Sequence, residues 1–199
     1  MHKIIRAFSW SLVFVALHAG AQTADESLQR VIADYERFQR QYDPLSAGAE
    51  GDREALRRLP DATPEAEQAQ RKALVAFGER LGAIDARQLS GESALNHTLL
   101  TRIVKESIEE AGFDFGRIAF QNDSGFHTLA DYVGRTTTIA SREDADAWLA
   151  RLQALPTYYE QNVANLKRGI ETRYTQPRIV VDRAIWRSEE RRVGKECRS

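Results

Sequence analysis

Thiols are almost missing from this sequence: the one cysteine, Cys197, stands near the C-terminal Ser199. Everything before it therefore lacks a disulfide, a thiolate nucleophile or a cysteine-built metal site, and its stability must come from packing. Histidine is scarce as well, with His2, His18, His97 and His127 as the full set. A catalytic zinc needs three protein ligands and an open fourth position, which two isolated histidines in the interior do not supply. No excess of basic charge exists either: 28 Lys and Arg face 29 Asp and Glu. Nucleic acid is a poor partner for such a chain, because phosphate binding depends on clustered Lys and Arg. Also missing are a Gly-x-Ser-x-Gly elbow, a phosphate-cradling loop, a Gly-rich dinucleotide fingerprint, an internal repeat and a low-complexity tract.

Both ends read as something other than folded domain. Lys3 and Arg6 precede an apolar run from Phe8 to Leu17, and Ala19-Gly20-Ala21 then offers small residues before Gln22. This is the pattern of a secretory signal over residues 1–21, cleaved after Ala21. The apolar run is much shorter than the roughly 20 residues of a membrane-crossing helix, so no permanent span is expected after cleavage. The processed protein is expected in the periplasm or outside the cell. At the other end, residues 187–199, Arg187-Ser188-Glu189-Glu190-Arg191-Arg192-Val193-Gly194-Lys195-Glu196-Cys197-Arg198-Ser199, resemble the in-frame translation of a common DNA sequencing adapter. That resemblance implies a reading frame cut near Trp186 and a disordered, artefactual tail. Residues 22–186 then form the genuine stretch, with 21 basic and 26 acidic residues. Helices separated from their packing partners by such a cut would leave apolar faces in water and favour aggregation.

Helical periodicity dominates this stretch. Leu28, Val31, Ile32, Tyr35 and Phe38 recur at steps of three and four and predict a helix from Glu26 to Tyr42. Asp43-Pro44 ends it, since the residue before a proline is pushed out of helical backbone. Residues 45–60 read as an irregular connection with a short helical turn near Arg53 to Leu59. Thr63 as cap, Pro64 at the first position and acidic Glu65 and Glu67 open a second helix to about Leu81, burying Leu74, Phe77, Leu81 and Ile84. A third, capped by Ser90 and stopped by Gly112, presents Leu95, Leu99, Leu100, Ile103, Val104 and Ile108 as a broad apolar face. Residues 113–125 lack helical period and could hold a short strand before the turn residues Asn122-Asp123-Ser124-Gly125. A brief helix near Leu129 to Gly134 follows. Ser141 and Asp144 form a capping box for a helix that buries Ala145, Trp148, Leu149, Leu152 and Leu155. Pro156 is expected to start a further helix with Tyr159, Val163, Leu166 and Ile170 inward and Asn162 and Asn165 elsewhere. Pro177 interrupts it, and Ile179-Val180-Val181 starts a last helix or strand. The fold class is thus mainly α, an irregular multi-helix assembly forming the N-terminal portion of a larger helical domain.

Chemistry is thin along this scaffold. Paired acids such as Glu109-Glu110 and Asp144-Asp146 point in different directions on a helix and read as solvated faces. Asn96-His97-Thr98 and Asn122-Asp123-Ser124 match a permissive glycosylation pattern that carries little weight. His97 falls on a helix, where a hydrogen-bonded histidine is the ordinary case. His127, in the loop-like Gly125-Phe126-His127-Thr128, is the better functional candidate.

Several stretches taken together carry a likeness: Val31-Ile32-Ala33-Asp34-Tyr35-Glu36-Arg37-Phe38, the Leu95-Asn96-His97 to Leu100 helix, the Gln121 to Thr128 turn, and above all Ala147-Trp148-Leu149-Ala150-Arg151-Leu152-Gln153-Ala154-Leu155-Pro156. With Leu166-Lys167-Arg168-Gly169-Ile170 and Gln176-Pro177-Arg178-Ile179-Val180, their order resembles a bacterial family catalogued as domain of unknown function 885, over Leu28 to Ala184. The resemblance implies an exported helical zinc metallopeptidase whose His-Glu-x-x-His helix lies well downstream, with zinc expected in the full-length parent and a peptide as its substrate. There the Glu would take a proton from zinc-bound water, whose pKa falls to about 7. This chain has no His-Glu-x-x-His, so no catalytic or metal-binding residue is carried over and no cofactor is assigned to it. What it implies for these residues is one wall of a substrate cleft, with Gln121 and His127 as the candidates. The alternative is a non-enzymatic periplasmic helical module that binds a partner or a peptide through its apolar faces.

Overall fold

The computed structural model describes residues 24–196, and among them it holds seven α-helices and no strand. The expected export signal of residues 1–21 lies outside the described residues. The helices are α1 (24–42), α2 (Pro44–Ala49), α3 (Pro64–Gly82), α4 (Gly91–Glu110), α5 (Leu129–Thr136), α6 (Arg142–Glu171) and α7 (Arg178–Glu196). They fall into two compact units, one of residues up to Phe38 with Gln70–Gly112, the other of Gln39–Ala69 with the residues from Phe113 onward.

The first unit is built by apolar periodicity. Leu28, Val31, Tyr35 and Phe38 of α1 and Leu74, Phe77 and Leu81 of α3 are buried, joined by Leu100 and Val104 of α4. Phe77 stands edge-on to Tyr35 at 5.4 Å between centroids and 5.3 Å from Phe38. Each such side chain contributes about 1.5 to 3 kcal/mol on burial. Ser90 occupies the N-cap position of α4 without a capping hydrogen bond from its side chain; instead its own N–H donates to Asp25 Oδ1 at 3.1 Å. The expected broad face of α4 is only half used, because Leu95, Leu99 and Ile103 are 58%, 50% and 47% exposed.

In the second unit the long α6 is the common packing surface. Its N-terminus is the expected capping box, Ser141 Oγ accepting from Asp144 N and Asp144 Oδ2 accepting from Ser141 N. Beyond that point the structure corrects the sequence reading. Pro156 starts no new helix but sits inside α6, on an exposed position. A proline there forfeits one helical hydrogen bond at about 3 kcal/mol, which the packing of α6 on both sides of it offsets. The most deeply buried positions are not the expected apolar ones: Leu149, Val163 and Ile170 are exposed and Trp148, Leu152, Leu155, Tyr159 and Leu166 half-buried, while Ala147, Arg151, Asn162, Asn165 and Gly169 are buried. The polar members are buried because they serve backbone carbonyls. Arg151 donates to Arg58 O at 3.1 Å, Pro44 O at 3.3 Å and Ala55 O at 2.8 Å, and Asn165 donates to Ala62 O at 2.6 Å.

Those carbonyls belong to the connection expected to be irregular. It contains α2, with Pro44 at its first position and Asp43 Oδ1 accepting from Leu45 N and Ser46 N, and a 3-10 turn, Ala55–Arg57. Gly48 lets Arg151 in, since a Cβ there would meet its Nη2 at 3.1 Å. The short strand considered for residues 113–125 does not form; the segment holds a 3-10 turn, Phe115–Ile118, and a single antiparallel bridge between Phe120 and Gly125. The backbone of α7 stays helical to Glu196, where the sequence reading expects disorder from Arg187. Its Arg, Glu and Lys are good helix formers, and extending a nucleated helix is cheap.

Candidate functional site

The loop between α4 and α5 positions the candidate residues, and its shape is set by backbone contacts. Asp114 adopts a left-handed conformation, φ 51°, and starts the Phe115–Ile118 turn. That turn lies directly on α6 at Gly169, where a Cβ would come within 2.6 Å of Arg117 O and 2.8 Å of Tyr174 O. The chain then closes on itself: Gln121 N donates to Ser124 O at 2.7 Å and Phe126 N to Ala119 O at 3.3 Å. Gly125 permits this closure through φ 140°, and a Cβ there would sit 2.6 Å from Phe120 Cα. Gln176, just before Pro177, anchors the result from the far side, its Nε2 donating to Ile118 O at 3.3 Å and Phe120 O at 2.5 Å.

The outcome is an aromatic cluster. His127 stands edge-on to Phe120 at 6.1 Å and to Phe126 at 5.9 Å, and Phe126 meets Tyr159 of α6 at 6.0 Å. Phe120, Phe126 and His127 line one wall of a pocket of about 390 Å³, and Val181, Ala184, Ile185 and Glu189 of α7 line the other. Its size falls in the range of small-ligand sites. Among the described residues that line it, one imidazole and one carboxylate are the ionisable groups, so this lining suits an apolar group.

Of the two residues the sequence put forward, the structure brings His127 to this pocket and leaves Gln121 exposed, outside its lining. His97 lies in the first unit, where its Nε2 hydrogen-bonds Leu81 O at 3.0 Å. The sequence reading gave Gln176 no part in the site; the Gln-Pro step was the signal available.

A charged network braces the loop beneath the pocket. Both guanidinium ends of Arg168 pair with Asp114, and its Nη2 also meets Asn165 Oδ1 at 3.0 Å. Arg117 Nε lies 2.9 Å from Asp114 Oδ2, and its guanidinium stacks 4.3 Å over Tyr174. The hydrogen bonds from Arg168 hold the Asp114 carboxyl below its usual range. Glu67, from the first turn of α3, completes the network, and burial together with the neighbouring Asp114 charge raises its pKa. The two acids share a half-buried site and are pushed in opposite directions, Glu67 toward its neutral form and Asp114 toward its ionised form.

Among the described residues no group of three or more His, Cys, Asp or Glu side chains is arranged to hold a metal ion. None of their helices is long and apolar enough to cross a membrane. A family model described as "Bacterial protein of unknown function (DUF885)" matches residues 44–196. No curated protein and no solved structure matches the chain.

Proposed function

Because the chain belongs to the DUF885 family of bacterial proteins, we propose that it is the exported, peptide-binding helical part of a zinc-metallopeptidase-like protein, and that its aromatic pocket holds an apolar side chain of the peptide. The observation that supports this reading is the 390 Å³ pocket itself, walled by Phe120, Phe126 and His127 on a loop that Gly125 and Gln176 fix in place. Binding sites are mostly apolar with a few placed polar groups, and this one has that composition. Zinc does not fit the described residues: His97 is committed to a backbone carbonyl, His127 stands among aromatic rings, and three ligands converge nowhere. No hydrolytic step is assigned to them.

Fluorescence anisotropy with labelled tripeptides tests the proposal. A peptide carrying a central Phe should bind saturably, one carrying a central Asp should not, and Phe126→Ala should weaken the first about tenfold, as loss of most of a buried aromatic contact requires. Equal affinity for both peptides would refute it. A second reading, a non-enzymatic module that meets a partner protein, is favoured by the exposed Leu95, Leu99 and Ile103. It predicts a partner whose capture depends on α4 and is indifferent to Phe126→Ala.

A further inference from the structure

The first unit contains a second pocket, of about 590 Å³, with a different chemistry. Arg30 and Arg37 of α1 and Arg80 of α3 all line it. Among the described residues its one carboxylate, Asp34, is shared: Oδ1 accepts from Arg37 at 3.0 Å and Oδ2 from Arg80 at 2.6 Å. Positions 30, 34 and 37 fall on one helix face because they are four and three residues apart. Arg80 is held from another side too, its guanidinium lying 5.4 Å over the Phe77 ring. The structure thus fixes two guanidinium groups against one carboxylate. Among the described residues, the hydrogen-bond acceptor of Arg30 is the neutral Ser27 Oγ, at 3.1 Å.

Three cations against one anion leave an excess of two positive charges around one cavity, in a chain whose formal net charge is −1. Each guanidinium has five N–H donors, and Asp34 engages few of them. The remaining forks suit a tetrahedral oxyanion, which Arg binds through paired hydrogen bonds. Val31 and Ile84 make part of the same lining apolar. We infer that this pocket binds a phosphate monoester with a short aliphatic group, the phosphoryl oxygens on Arg30, Arg37 and Arg80 and the aliphatic chain against Val31 and Ile84. The site is independent of the aromatic pocket and of the peptide-binding proposal.

Titration calorimetry of the whole chain at low salt, with n-butyl phosphate, inorganic phosphate and n-butanol as probes, tests it. Butyl phosphate should bind saturably and more tightly than inorganic phosphate, and butanol should show no saturable binding. Arg30→Ala and Arg80→Ala should each lower the butyl phosphate affinity about tenfold or more, the cost of losing a charge-assisted contact. Arg30→Lys should recover part of that loss, and added salt should weaken binding throughout. Circular dichroism melts of the variants should match the wild type, since the substituted side chains are exposed. Absence of saturable butyl phosphate binding, or an affinity unchanged in either alanine variant, overturns the site. Inorganic phosphate binding as tightly as the ester overturns the aliphatic half of the assignment.

Discussion

Two buried polar side chains show how a single residue can outweigh hydropathy. Arg151 is 4% exposed and Asn165 1%, both at positions that apolar spacing left off the inward face. Both donate to backbone carbonyls far away along the chain, and a buried donor left without an acceptor costs roughly 1 to 3 kcal/mol. Burial pushes the Arg151 guanidinium below its ordinary pKa. The titration of Glu67 has a clearer consequence. Its folded pKa is raised above the usual 4.5, so its contribution to stability is complete at acid pH and is lost as pH rises through that raised value. Asp114, with its pKa lowered, acts in the opposite sense and loses its contribution as pH falls through its lowered value. Glu67→Gln keeps the donor without the charge. Urea unfolding should find this variant more stable than wild type near neutral pH and level with it at mildly acidic pH. A variant destabilised equally at both would show that Glu67 acts there as the charged form.

Among the elements, α6 shows what a local reading captures and what it misses. Its start was legible in Ser141 and Asp144, because a capping box is a contact between neighbours in sequence. Its continuation through Pro156 was not, since the compensation comes from residues far away along the chain. The C-terminus of α6 closes with Tyr174 N donating to Gly169 O at 2.9 Å around Arg173, whose φ is 57°. This left-handed position after a helix is normally filled by glycine, and a side chain there is strained. Arg173→Gly should therefore stabilise the protein by about 0.5 to 1 kcal/mol, read as a higher urea midpoint at unchanged slope. A lower midpoint would mean that the arginine side chain offsets its own strain. The pocket loop follows the same logic: Asn122-Asp123-Ser124-Gly125 announced a turn, but its closing partners, Ala119 and Gln176, could be identified only in three dimensions.

At the scale of the molecule, the face of α4 bearing Leu95, Leu99 and Ile103 is the principal apolar surface that the first unit leaves open. Large side chains exposed together mark contact surfaces or association. Sedimentation velocity should show concentration-dependent self-association, and Leu99→Lys should reduce it while leaving the melt unchanged, since lysine and leucine have similar helix propensity. Monomers of both proteins at every concentration would contradict this. The mainly α class, the capping box at Ser141, the proline-marked boundaries at Pro44 and Pro64 and the buried faces of α1 and α3 were set by the sequence itself, because propensity, capping and apolar spacing act within a few residues. Tertiary structure alone decided that α6 runs through Pro156, that Arg151 and Asn165 are buried while Leu95 and Leu99 are not, and that His127 rather than Gln121 lines the pocket. Burial depends on what stands opposite, and the carbonyls, rings and charges that stand opposite these residues come from segments as much as 107 positions away.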